Sequence, residues 1–218
     1  MTDMRAQRTR QYLRDALMAI LREKPYEAIT VREVITRTQV SRNSFYNHYD
    51  GLDHLVQDCF LQVSIYFRAP QKRLRDYACR SDAVTETLNE WAHTLVLFRD
   101  NPNFARVILD SICTSRYFAK SRHAEEELLL DHLETEYAGM PRPAFLVEEN
   151  FARYIVWGMF GNVRAWFMQG MRRPIEDVVK ENIYCALQST AGLAGHPIEP
   201  EYRVAIEAWR FDDPVCEA

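Results

Sequence analysis

"TVREVITRTQVSRNSFYNHY", residues 30–49, contains two helix starts eleven residues apart. Thr30 with Glu33 is a capping box, in which Thr30 accepts from the Glu33 amide while Glu33 reaches back. Ile29 and Val34 flank it as a hydrophobic staple. Ser41 repeats the signal, with Val40 and Phe45 in the staple positions. The spacing predicts a helix of about nine residues, a turn at Thr38, Gln39 and Val40, and a second short helix over 41–49, the helix-turn-helix pattern. That second helix keeps Phe45 and Tyr49 for the core and turns Arg42, Asn43, Asn47 and His48 outward. A helix used only for packing needs no such concentration of hydrogen-bonding side chains.

Those residue types suit DNA. A helix fits the major groove, where Arg bonds guanine bidentately and Asn bonds adenine. Ser, Tyr and His suit phosphate oxygens, which position a protein without reading sequence. Amides at helix starts add contacts to phosphate.

Outward from this stretch the helical pattern continues. Leu13, Ala16, Leu17, Ile20 and Leu21 form an amphipathic helix that ends before Pro25. Asp50, followed by Asp53, caps a fourth helix through Leu52, Leu55, Val56, Cys59, Phe60, Val63 and Phe67, ending near Pro70. A short helix fits 71–79, and Ser81 or Asp82 opens a long one carrying Val84, Leu88, Trp91, Ala92, Leu95 and Phe98. The break at "DNP" (100–102) places Asn101 as cap and Pro102 at the first helical position. A charged helix spans 121–137, with the run Glu125 to Glu127 expected on a solvated face. Residues 144–169 are apolar on every side, which predicts burial all round, with a single chain able to supply only part of the cover and a second copy the rest. Pro174 starts a further helix, 174–189, with Glu176 and Asp177 favoured in its first turn. The fold class is all-α, with three units: 1–50, a helix-turn-helix domain; 51–195, a helical effector-binding and dimerisation domain; 196–218, a tail with a short helix around Trp209.

Composition fits this reading. Hydrophobic residues make up 47% and charged residues 27%, as in an ordinary globular protein, and 7 Gly and 9 Pro are too few for a turn-dense β fold. No apolar run approaches the roughly 18 residues of a membrane span, and "MTDMRAQRTR" lacks a signal-peptide core, so the cytoplasm is expected. Cysteines 59, 79, 113, 185 and 216 show no CxxC pairing, which argues against a structural zinc site and against a disulfide framework; Cys216 is the one expected to be exposed. Residues 1–50 hold nine Lys/Arg and six Asp/Glu, net +3, against −7 for the rest of the chain. A local basic footprint on an acidic body follows.

"ITVREVITRTQVSRNSFYNHYDGLDHLV" resembles the N-terminal DNA-binding domain of the tetracycline-repressor (TetR) family of bacterial transcription regulators. The likeness covers roughly residues 8–60, and a looser one extends to "GMFGNVRAWFMQGMRRPIEDVV". It implies a homodimeric regulator of double-stranded DNA with a palindromic operator, a repressor released by a small hydrophobic or aromatic effector. Carried onto this sequence, it implies that Thr30 and Arg32 approach DNA, that Arg42, Asn43 and Tyr46 face bases, and that Ser41, Ser44, Asn47 and His48 lie on phosphates or neighbouring bases. Arg5, Arg8 and Arg10 are expected to act on phosphates or the minor groove. Two positions depart from the family pattern. Gln39 stands where a turn glycine is usual, and Leu52 where a phosphate-binding lysine is usual, with His54 or backbone amides as substitutes.

Aromatic side chains in the body, Phe60, Phe67, Trp91, Phe98, Tyr117 and Trp157, are core first and candidate effector-lining residues second. Helices 144–169 and 174–189, both of them from each of two chains, would form a four-helix dimer bundle, with Gly158, Gly161, Trp166, Val179 and Ile183 at the interface. Two rival classes remain. One is a helical co-regulator that does not itself bind DNA. The other is a metal-dependent enzyme built on Glu90-x-x-His93, which lacks the second such motif that di-iron bundles need. No cofactor and no metal are expected.

Overall fold

The computed structural model describes residues 2–63, 77, 79–112 and 114–212, and every regular element among them is helical. Tyr66, Phe67, Pro70, Cys113, Cys216 and most of the helix expected over 71–79 lie outside the described residues. Numbered among the described residues, the helices are α1 (Thr2–Glu23), α2 (Val31–Thr38), α3 (Arg42–Tyr46), α4 (Leu52–Val63), α5 (Arg80–Asp100), α6 (Pro102–Ser111), α7 (Ala119–Glu136), α8 (Glu148–Met168), α9 (Ile175–Leu193) and α10 (Pro200–Ala208). Single 3-10 turns occupy Tyr26–Ala28 and Arg116–Phe118.

Helix ends follow the local chemistry closely at the N-terminal end. Thr30 Oγ1 accepts from the Glu33 amide at 3.3 Å, and Ser41 Oγ from the Ser44 amide at 3.1 Å. The reciprocal half of the capping box is replaced, because the Glu33 carboxylate pairs with Lys24 at 2.6 Å. Gln39 adopts the left-handed conformation, φ 59° and ψ 16°, that the turn needs. Helix α4 begins at Leu52, with the Leu55 amide donating to Gly51 O at 3.3 Å. Asp50, expected as its cap, instead donates its amide to His54 Nδ1 at 3.3 Å. Pro102 is the first residue of α6, as read, and the helix ends at Ser111.

One apolar core runs from Leu13, Leu17, Val34 and Phe45 through Leu55 and Phe60 to Trp91, Phe98, Phe160, Val179 and Trp209. Helix α4 contributes Leu55, Val56, Cys59 and Phe60 to it. Helix α6 packs against α1 and α4, and Asn103 Nδ2 donates to Leu21 O at 2.8 Å. Helices α5, α8 and α9 build the body, with α7 lying along α8 and α10 covering α5. The tail is fixed by Trp209, whose Nε1 donates to Asn89 Oδ1 at 2.8 Å, and by the Phe211 amide on Glu176. The expected short helix lies before Trp209, not around it.

The burial pattern of the body bears on three expectations. Glu125 and Glu126 are buried and only Glu127 is exposed; Glu126 is held by Arg153 at 3.5 Å, so the acidic run straddles the α7–α8 seam. Helix α8 is covered by its own chain on one side only, the partial cover expected of it. Tyr154 (76% exposed), Trp157 (44% exposed), Gly158, Gly161, Ala165 and Met168 form an open, mostly apolar stripe at helical spacing. Conversely, Trp166, Val179 and Ile183 are buried in the chain's own core, where the α9 seam meets α5 and α8. They are not available to a second chain, and the exposed side of α9 is Asp177, Glu181, Cys185 and Gly192.

Candidate nucleic-acid interface

Phe45 and Tyr49 fix the orientation of α3. Both are buried, and their rings meet at 5.7 Å. With that side anchored, Ser41, Arg42, Asn43, Tyr46 and Asn47 are exposed, and Ser44 and His48 are half-buried. The α-helical part of the segment is five residues long, shorter than the 41–49 expected, and turns carry the chain on to His48. Arg42 is pre-aimed by its neighbour: its guanidinium lies 5.7 Å from the centroid of the Tyr46 ring. Thr30 and Arg32, at the start of α2, are exposed too.

A lock that the sequence reading missed holds this surface to α1 and α4. The Tyr49 hydroxyl donates to Asp58 Oδ2 at 2.5 Å, and Arg14 Nη1 donates to the same oxygen at 2.9 Å. Burial first, then the hydrogen bond to Asp58 and its charge, pushes the Tyr49 phenol far above its usual range, so it stays a donor. Arg10, read as a phosphate contact, sits 3.9 Å from Asp58 and over the Tyr49 ring at 5.7 Å. Arg5 and Arg8 remain exposed. The available signal was the four-residue spacing of Arg10 and Arg14 on one face of α1.

The start of α4 is tied to the body. His54 stacks on Tyr117, with centroids 5.2 Å apart and planes 16° from parallel, and meets Tyr49 edge-on at 5.4 Å. Arg116 lies over the Tyr117 ring at 4.8 Å and reaches Asp50 at 4.0 Å. Tyr26 donates its hydroxyl to Asp53. His54, a suggested substitute for the missing phosphate lysine, is thus engaged in joining α4 to the 116–118 turn. Leu52 packs partly buried against the core.

Of the candidate effector residues, Phe60 and Phe98 are buried and stack at 6.2 Å, and Phe118 meets Phe60 edge-on at 5.8 Å. Trp91 packs on Phe160 at 5.5 Å. Tyr117 is half-buried at the α4 junction, and Trp157 points outward, away from this group. His93 is bound to Asn89 O at 2.6 Å and its ring packs on Phe211. Among the described residues no three His, Cys, Asp or Glu side chains converge as a metal-binding group, and no helix is long and apolar enough to cross a membrane.

Residues 13–59 match the family model of bacterial regulatory proteins, tetR family. No curated protein matches the sequence. Among solved structures of similar fold are two TetR regulators. A TetR transcriptional regulator from Streptococcus agalactiae has 22% identity and a TM-score of 0.52, over 85% of this chain and 97% of that one. Full-length TylP, a TetR regulator from Streptomyces fradiae, has 19% identity and a TM-score of 0.56, over 96% of this chain and 95% of that one. At such identities the likeness is one of fold. The chain therefore carries the tetR-family domain at residues 13–59 and, across its described helices, has the fold of TetR regulators.

Proposed function

We propose that the protein is a homodimeric, DNA-binding transcriptional repressor of the bacterial cytoplasm. Two copies of α3 enter successive major grooves of a palindromic operator, and a small hydrophobic or aromatic molecule releases them. The observation that carries the reading is the two-sided α3 segment, with Phe45 and Tyr49 buried and Arg42, Asn43, Tyr46 and Asn47 open to a partner. Arg42 and Asn43 read bases, Ser41, Ser44, Asn47 and His48 lie on phosphates or adjacent bases, and Thr30 and Arg32 clamp the backbone. Arg5 and Arg8 extend the basic edge.

The open α8 stripe supports dimerisation, with Gly158 and Gly161 admitting close backbone approach from the second copy. Effector control rests on the aromatic interior around Phe60, Trp91 and Phe98 and on its link to α4 through Tyr117. Effector and DNA affinities are then linked: a molecule that prefers one spacing of the two reading heads changes operator affinity by that same preference ratio.

A gel shift with the DNA upstream of the protein's own gene separates this from a co-regulator without DNA binding. Retardation, lost on adding competing operator, supports the repressor; no retardation at low salt supports the co-regulator. Thermal-shift screening with aromatic compounds, followed by operator release, tests the effector.

A further inference from the structure

Asn182 sits on the buried side of α9 with Val178, Val179, Ile183 and Ala186, at 1% exposure. Its Nδ2 donates to Met159 O at 3.4 Å, and its Oδ1 accepts from Asn162 Nδ2 of α8 at 3.0 Å. A backbone carbonyl only accepts, so Met159 fixes which way round the Asn182 amide stands. Asn182 in turn fixes the amide of Asn162. Asn162 itself is exposed, and it stands on the open side of α8 beside Gly161, between Gly158 and Ala165. Its Oδ1 and its second Nδ2 hydrogen have no partner among the described residues.

Burying Asn182 exchanges its water for hydrogen bonds that an apolar pair would not need. What the arrangement gains is an amide of fixed orientation at the middle of the apolar stripe from Tyr154 to Met168. A Cβ at Gly158 or Gly161 meets nothing within 4 Å in the single chain, so another backbone can come close there. Covering the stripe takes water from the free oxygen and hydrogen of Asn162, and both must be paired again. An amide is self-complementary, carrying donor and acceptor together. In a two-fold interface the same patch meets itself, so one group of the same kind offers both at once.

We propose that Asn162 pairs reciprocally with Asn162 of the partner subunit across the two-fold axis of the dimer. Each amide donates to the other, and the pair selects a second copy of this chain and fixes its register. A register slipped by one turn, or a partner with an apolar residue at this place, buries the amide unpaired and is disfavoured. The proposal deepens the dimer reading given above and rests on it, and it stands whether or not the protein binds DNA.

The test uses the full chain. The parent is sedimented first, and a monomer overturns the dimer reading and this pair with it. With the parent a dimer, Asn162→Cys is expected to oxidise to a 162–162 disulfide, because only facing positions bring their Cα atoms within about 7 Å. Peptide mapping separates that link from any through Cys79 or Cys185, which are exposed. Asn162→Lys and Asn162→Asp chains, carrying different tags, are then mixed. Mixed dimers are expected to exceed each like-charged dimer by at least about tenfold, since opposite charges meet only if the two positions face each other. A missing 162–162 link, or statistical mixing of the charged variants, overturns the pair while the dimer stands. An Asn162 that only ties α8 to α9 gives both of those results.

Discussion

Gln39 holds the helix-turn-helix turn in a left-handed conformation that costs an ordinary side chain about 1–2 kcal/mol. Gln39→Gly relieves that strain, offset in part by the greater freedom of glycine in the unfolded chain. Urea unfolding is expected to show a gain of up to about 1 kcal/mol; a loss would mean that the Gln39 side chain makes a contact worth more than the strain. His132 predicts a pH effect of definite sign. Its folded pKa is held at about 4 against an ordinary 6.5, by burial first and Arg80 second. The unfolded chain therefore takes the proton first as pH falls below 6.5. This part of the stability is complete above pH 6.5 and is lost down to pH 4, by up to about 3 kcal/mol. His132→Gln should remove that part of the slope, and an unchanged slope would place the titration elsewhere. Single residues differ in how well the sequence declares them. Thr30, Ser41 and Phe45 act within a turn of their own position, so spacing alone locates them. The Tyr49–Asp58–Arg14 lock and the Asn162–Asn182 pair join positions far apart in the chain, and no local pattern encodes such pairs.

Among the elements, α2 and α3 were legible because caps, staples and a short period all agree there. The outer face of α8 was legible only in part, through Gly158 and Gly161. Tyr154, Trp157 and Met168 have the same composition as core residues, and periodicity cannot tell a side chain buried in its own chain from one kept for a second copy. Helix α10 was obscure for another reason. It is held by a few side chains, Tyr202 and Ile206 within it and Trp209 at its end, too few for a visible period. Helix α4 is the element through which the body can act on α3, and the His54–Tyr117 stack is its nearest tie to the 116–118 turn. Tyr117→Ala is expected to speed amide exchange at residues 50–58 severalfold while leaving α8 and α9 protected, because local opening follows the loss of local contacts. Unchanged exchange in α4 would show that the stack carries no coupling.

For the whole molecule, the open α8 stripe separates a dimer from a monomer by a clean substitution. A side chain added at Gly161 meets nothing within 4 Å in the single chain. Gly161→Arg should therefore fold but sediment as a monomer, and its operator affinity should fall by about tenfold or more as the paired half-sites are lost. A variant that stays dimeric would move the interface elsewhere. Charges at Val179 or Ile183 are unsuitable for this purpose, since both side chains are buried in the body and would unfold it. Removing Arg5 and Arg8 together should lower the salt dependence of binding without changing sequence preference, as fewer counterions are released.

The most direct test is a footprint of the full chain on the DNA upstream of its own gene, beside the same experiment with Arg42→Ala. The expected result is one protected palindrome with half-sites a helical turn or a multiple of it apart. The variant should bind about 1–3 kcal/mol more weakly and lose preference at one base pair in each half-site. A footprint with no symmetry, or an Arg42→Ala protein with unchanged affinity and protection, would contradict the assignment of α3 as the reading helix.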